Sequence, residues 1–149
     1  MSTPGRRLFV IERECALPAE EAWRRMTAWE RHTATVPLTR ITVLTPPPDG
    51  VGTAFVARTG IGRLGFDDPM RVTRWEPPTG TSPGRCRLEK SGRVVTGWAE
   101  IEVHAHPTGS RVLWREDLHV WRLPRPLDRP TALAGRLVFG RVIGTLLAK

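Results

Sequence analysis

The chain has 149 residues, 40% of them hydrophobic and 26% charged, which excludes a disordered polymer and fits one globular domain spanning residues 1–149. Its net charge of +8 comes from basic residues spread along the whole sequence, with no run of like charges that would indicate a nucleic-acid-binding arm. Its 2 cysteines are too few for a disulfide scaffold and are expected to be core thiols.

The first half of the chain predicts a strand followed by a helix. Residues 8–18 are rich in strand-forming side chains and end at Pro18. Residues 18–33 then predict a helix, because a proline suits the first turn and the acidic Glu20 and Glu21 favour the positive N-terminal end. Glycine- and proline-rich turns separate the strands predicted next, over residues 40–45, 53–59, 68–75, 85–90, 93–105 and 111–121.

A proline-rich connector without regular structure is expected over residues 122–130, and a closing helix over residues 131–149. Strands joined by short turns, with a helix near each end of the chain, predict an α+β fold. In such a fold an antiparallel sheet carries its helices on one face.

The closing helix is apolar nearly all round, and such helices are usually buried. Arg136 and Arg141 lie near its middle, which excludes a membrane span. The two charges share no face with polar, base-reading side chains, so nucleic-acid binding is not expected either. Gly140 and Gly144 lie one turn apart on this helix and leave three alternatives open: close packing, room for a ligand, or a contact with another chain.

Residues 9–29, FVIERECALPAEEAWRRMTAW, resemble the opening strand and helix of the START-like SRPBCC superfamily. The similarity continues through GVGTAF (50–55), DPMRVTRWEPP (68–78), VTGWAEIEV (95–103) and GSRVLWREDL (109–118), and it is greatest to the polyketide cyclase/dehydrase or lipid-transport branch. The resemblance implies a helix-grip fold, in which a curved antiparallel sheet of about seven strands wraps a long C-terminal helix. It also implies two short helices after the first strand and a ligand cavity between the sheet and the C-terminal helix.

Strand alternation sorts the side chains that face this cavity from those that face away. Arg13 is inward on the first strand and Glu116 on the last. Because the resemblance places these strands side by side, we expect the two to form an inward ion pair, which contacts a ligand or only satisfies itself. Asp68 begins its predicted strand and is expected to be solvated, while Trp75 has outward parity. The predicted ligand-pocket residues are Arg13, Trp29, Phe55, Met70, Leu88, Ile101, Trp114, Glu116, Leu118 and Phe139.

Catalytic and metal-binding motifs are weak. Of the histidines, only His32 lies near the cavity mouth that the resemblance implies, and a capping or surface role is also open for it. The segment HAH (104–106) lacks an identifiable third zinc ligand, and GIGRLG (60–65) lacks the strand–helix context of a phosphate loop. No metal or cofactor is therefore expected.

Three hypotheses for function follow. The first is a carrier or sensor of a small hydrophobic molecule, such as a lipid or a polyketide-like compound. The second is an aromatase/cyclase-type enzyme with Glu116 as general base. The third is a protein-interaction module that uses the closing helix.

The chain is expected to be a monomer or homodimer. Residues 1–14 contain no apolar stretch of signal-peptide length, so a cytoplasmic location is expected.

Overall fold

A seven-stranded antiparallel sheet is the main element of the protein. The structure is a computed structural model that describes residues 8–34, 38–61, 63–121 and 125–148. The strands follow the order β1-β7-β6-β5-β4-β3-β2, so the first and last strands are neighbours. Their bounds are β1 (Leu8–Cys15), β2 (Thr39–Val43), β3 (Ala54–Ile61), β4 (Leu64–Glu76), β5 (Gly84–Ser91), β6 (Val95–His106) and β7 (Gly109–Val120).

Two helical elements lie between β1 and β2, and a long helix follows β7. The first is α1 (Ala19–Met26), and a 3₁₀ helix (Trp29–Ala34) follows it. The long helix is α2 (Asp128–Leu147), preceded by a 3₁₀ turn (Arg125–Leu127). The expected α+β helix-grip architecture is confirmed.

The expected irregular connector is wrong at its end, because α2 already begins at Asp128. Pro130 lies in the first turn of α2, where an intrahelical N–H bond is not needed. The connector's residues 122–124 lie outside the described residues.

The core lies between the concave face of the sheet, α1 and the C-terminal half of α2. α1 buries Trp23 and Met26, and α2 buries Val142 and Ile143. Inward side chains of the central strands meet them, among them Phe55, Val72, Cys86, Leu88, Ile101, Val103 and Val112. Burial raises the pKa of the Cys86 thiol to about 12, so this cysteine is an inert core residue, as the sequence predicted.

A β-bulge in β4 reverses the facing of the residues that follow it. The register with β5 shifts between Val72 and Arg74, and Trp75 then lies opposite the inward Cys86. The Trp75 ring packs edge-on against Trp23 with a centroid distance of 5.2 Å. The outward facing predicted for Trp75 is wrong, because one extra residue moves every later side chain to the other face.

α2 is buried on one side only. Leu133, Leu137 and Val138 are exposed, so the burial indicated by the apolar character of this helix is confined to the face against the sheet. The physical reason is that α2 is the outer layer and covers only one face of the sheet. Its glycines show where it approaches β1: a Cβ on Gly135 would lie 2.7 Å from the Phe9 ring, whereas one on Gly144 would meet nothing within 4 Å.

We predict opposite effects of the same substitution at these two glycines. Gly144→Ala should raise the free energy of unfolding by about 0.5–1 kcal/mol, because alanine is the better helix former. Gly135→Ala should lower it by about 1–3 kcal/mol through overpacking, because Phe9 is held by the Phe139 ring at 5.9 Å. Urea unfolding of both variants tests this. Equal effects would show that α2 does not approach β1 at Gly135.

Candidate ligand-binding site

A cavity of about 100 Å³ lies between the concave face of the sheet, the 3₁₀ helix and α2. An engineered cavity of about 150 Å³ is known to take up benzene. An occupant of one ring therefore requires small side-chain movements, and a larger one requires movement of a lining element. The residues that line the cavity are Trp29, His32, Thr39, Ile41, Phe55, Ala57, Thr59, Asp68, Met70, Leu88, Lys90, Ala99, Trp114, Glu116 and Phe139.

Aromatic rings form two walls of the cavity. Trp29 stacks on Phe55 with a centroid distance of 4.8 Å, and Trp114 stacks on Phe139 at 5.3 Å. The His32 ring lies between the walls, 6.1 Å from Trp29 and 6.2 Å from Trp114. These faces offer a flat apolar occupant stacking contacts of the kind that aromatic pairs prefer.

A buried charged cluster closes one side of the cavity. The Lys90 Nζ atom donates to Asp68 Oδ2 at 2.7 Å and lies 3.3 Å from Glu116 Oε1. The Lys90 side chain is 5% exposed, that of Asp68 13% and that of Glu116 1%. The second oxygen of Glu116 accepts a hydrogen bond of 3.1 Å from Trp114 Nε1.

The small Ala99 on the intervening strand allows this cluster to form. Lys90 on β5 lies opposite Gly97 of β6, and Glu116 on β7 lies opposite Ala99 of β6. Strands once removed are about 9.6 Å apart, so a large side chain in place of Ala99 would separate the two charges. Gly97 has a backbone reason instead, because its φ is +126° and a Cβ there would overlap the Asp117 carbonyl oxygen. Lys90 lies opposite Met70 of β4, so Asp68, two residues earlier on β4, is its diagonal neighbour. Long side chains can bridge the distance between diagonal neighbours.

The environment shifts the pKa values of Glu116 and Lys90 upward. Burial raises the pKa of the Glu116 carboxyl, and the ammonium of Lys90 and the Trp114 donor offset only part of that shift. Burial alone favours a neutral Lys90, but the carboxylates of Glu116 and Asp68 outweigh it and raise the pKa of Lys90. Lys90 is therefore a buried cation, and Glu116 is driven towards the neutral acid.

Two buried polar atoms on the cavity have no hydrogen-bond partner among the described residues. They are Asp68 Oδ1, an acceptor, and Trp29 Nε1, a donor. The ring of His32, by contrast, lies with Nε2 3.2 Å from the Met26 carbonyl oxygen. Burial lowers the pKa of His32, and the hydrogen bond to Met26 opposes this only in part.

Most of the predicted pocket residues lie on the cavity: Trp29, Phe55, Met70, Leu88, Trp114, Glu116 and Phe139. Ile101 is fully buried in the core and does not line it. Leu118 is half-buried and packs against the core from outside the cavity. That the lining residues contact a ligand stays a prediction.

The expected ion pair between Arg13 and Glu116 is wrong. Glu116 lies opposite Phe9, while Arg13 lies opposite Val112, about 13 Å further along β1. Arg13 does point towards α2, where a Cβ on Gly140 would lie 3.1 Å from its guanidinium. It is nevertheless exposed and lies outside the cavity. Strand adjacency and side-chain parity were therefore not enough to predict an ion pair, because the register of the two strands was unknown.

Sequence reasoning missed Lys90 and Asp68. Lys90 has the inward parity of Leu88, and it is a rare lysine in a chain whose basic residues are almost all arginine. Asp68 was expected to be solvated at a strand start, but β4 begins at Leu64 and the carboxylate is buried. The alternation of side chains along β4 and β5 was enough to indicate that Asp68 and Lys90 face the cavity.

Among the described residues, no group of three or more His, Cys, Asp or Glu side chains is arranged to hold a metal ion. Within the same residues, no helix has the length and apolar character required to cross a membrane.

Comparisons with known proteins show the fold. No protein-family model matches the chain, and no curated protein has significant sequence similarity to it. A START superfamily protein from Mycobacterium smegmatis has a TM-score of 0.71 and 14% identity over 93% of this chain and 96% of its own. The Zhui aromatase/cyclase of a Streptomyces species has a TM-score of 0.65 and 12% identity over 95% of this chain and 91% of its own.

A norcoclaurine synthase from Thalictrum, crystallised with a transition-state analogue, is similar over 93% of this chain and 95% of its own, with a TM-score of 0.55 and 14% identity. At these identities the similarity establishes a START-like helix-grip fold. The fold expected from the sequence resemblance is therefore confirmed, and the ligand is left to the site itself.

We predict that Lys90→Met lowers the free energy of unfolding by about 3–5 kcal/mol, because it leaves the buried Asp68 carboxylate without its cation. Arg58→Met is the matched control. Arg58 forms an exposed ion pair with Asp67, whose loss should cost about 1 kcal/mol or less. Chemical unfolding of both variants measures the difference, and a similar small loss in both would show that the cluster is not a buried network.

We predict that His32 makes stability depend on pH. Its folded-state pKa is depressed below its ordinary value of 6.5, so its stabilising contribution is complete above 6.5 and is lost as the pH falls through the folded-state pKa. The slope should not exceed about 1.4 kcal/mol per pH unit for one proton. His32→Gln should remove this part of the acid destabilisation in thermal melts, whereas His106→Gln, at an exposed turn, should not.

Proposed function

We propose that the chain binds a small hydrophobic molecule, lipid-like or polyketide-like, in the cavity between the sheet and α2, as a carrier or sensor. The observation that carries this proposal is the cavity itself: two stacked aromatic walls with two unpartnered polar atoms at its edge. Apolar walls with a few convergent polar groups are the usual composition of a small-molecule site. The fold shared with a START superfamily protein and an aromatase/cyclase supports the same function class.

The geometry of Glu116 favours binding over catalysis by this residue. One of its oxygens faces the Lys90 ammonium and the other accepts from Trp114, so both are engaged. The hypothesis of an aromatase/cyclase with Glu116 as general base therefore has less support than a carrier or sensor.

The test is paired native and denaturing mass spectrometry of freshly purified protein. We predict a mass excess in the native spectrum that vanishes on denaturation, because a co-purified ligand is held without a covalent bond. The native spectrum also gives the oligomeric state. An absence of any mass excess, together with no uptake of added hydrophobic compounds, would contradict the proposal.

A cavity-filling variant locates the binding. Ala99 lies on the cavity wall in β6, and Ala99→Leu should abolish the mass excess by occupying the space. Ala105→Leu is the matched control, because Ala105 is an exposed residue of the same strand outside the cavity. Circular dichroism confirms that both variants fold. Retained ligand in a folded Ala99→Leu variant would place binding elsewhere.

A further inference from the structure

The two unpartnered atoms on the cavity wall are chemically complementary. Asp68 Oδ1 accepts hydrogen bonds and Trp29 Nε1 donates them, and the side chains that carry them are buried. An unmade hydrogen bond in a buried site carries the full desolvation penalty of the group. An occupant that offers both a donor and an acceptor removes both penalties, and a hydroxyl group is the smallest that does.

The remaining polar groups of the charged cluster and the His32 ring are already engaged. The other oxygen of Asp68 and one oxygen of Glu116 face the Lys90 ammonium, and Trp114 donates to Glu116. The ring of His32 is hydrogen-bonded to a backbone carbonyl. The hydroxyls of Thr39 and Thr59, which also line the cavity, are hydrogen-bonded to each other at 2.9 Å. Among the described residues, Asp68 Oδ1 and Trp29 Nε1 are therefore the buried side-chain atoms of this lining that lack a partner.

The charge balance of the cavity favours a neutral occupant. The ionisable side chains on its wall are Asp68, Lys90, Glu116 and His32. Burial raises the pKa of Glu116 and lowers that of His32, so both are driven towards their neutral forms. The Lys90 ammonium and the Asp68 carboxylate form the shorter ion pair of the cluster, at 2.7 Å, and balance each other. An added anion or an added cation would therefore leave a net charge buried in an apolar site.

We propose that the ligand of this cavity is a neutral ring compound bearing a hydroxyl group, which donates to Asp68 Oδ1 and accepts from Trp29 Nε1. This inference rests on the proposed function and adds the chemical class of the ligand. The ring lies among the stacked aromatic walls, and the hydroxyl selects the compound. A site built to hydrogen-bond a hydroxyl discriminates strongly against the analogue that lacks it, because the partners are then left unpaired.

The experiment compares four one-ring probes by NMR titration of the full chain at neutral pH. Phenol carries the hydroxyl, and toluene is its near-isostere without one. Benzoate and benzylammonium carry the two charges. We expect phenol to bind about tenfold or more tightly than toluene, since two buried hydrogen bonds are gained. Both ions should bind more weakly than phenol.

Two variants test the assigned atoms. Asp68→Asn removes the charge of the acceptor, and Trp29→Phe removes the donor while keeping a ring. Each should shrink the preference of phenol over toluene several-fold. The matched controls are Asp67→Asn, whose exposed carboxylate on the same strand pairs with Arg58, and Trp121→Phe, at an exposed position. Both controls should keep the wild-type preference.

The outcomes separate this inference from the proposed function. If toluene, benzoate or benzylammonium binds as tightly as phenol, the hydroxyl assignment is overturned while the cavity remains a binding site. A preference that survives in every folded variant of Asp68→Asn and Trp29→Phe overturns the assignment of the two atoms. If one variant fails to fold, the preference measured in the other decides the assignment. If none of the four probes binds, the hydroxyl assignment is overturned, and if the native mass spectrum also shows no mass excess, the proposed function fails as well.

Discussion

The buried ammonium of Lys90 is the interaction on which the cavity depends. Lys90 lies on β5 and pairs with Asp68 on β4 and with Glu116 on β7. It therefore connects β7 to β5 and β4, although β6 lies between them in the sheet. A buried cation is tolerated only when its counter-charges and hydrogen bonds are in place. This requirement explains why the small Ala99 lies on the strand between Lys90 and Glu116, where bulk would separate the charges.

The same small residue, Ala99, also creates space that a ligand needs. With little side chain on the middle strand, the aromatic pairs formed by Trp29 with Phe55 and by Trp114 with Phe139 stand at the edges of the cavity. The result is a site with apolar faces and a polar side, on which one acceptor and one donor have no partner among the described residues. The shape of the cavity and its hydrogen-bonding groups therefore both depend on how side chains pack on the concave face of the sheet.

The sequence predicted the architecture well because alternation along strands and the order of motifs are local properties. They placed Phe55, Leu88 and Trp114 on the concave side, and the structure lines the cavity with them. What failed were quantities that depend on register. Parity shows which face Arg13 and Glu116 share, but not that they lie four residues apart along the paired strands. Trp75 lies on the opposite face from the predicted one because of a bulge that no residue of the sequence indicates. Lys90 was overlooked because a charged residue of inward parity becomes credible only when its counter-charges are known.

The most direct test of a ligand cavity at this position is an NMR spectrum of the indole N–H groups of the tryptophans, recorded with and without a one-ring ligand. Trp29 and Trp114 line the cavity, whereas Trp121 is exposed and Trp98 packs against Arg87 on the outer face. Substitution to phenylalanine assigns each signal. The account predicts that ligand shifts the Trp29 and Trp114 signals and leaves Trp98 and Trp121 in place. Shifts confined to Trp98 or Trp121, or no shift at any concentration, would contradict it.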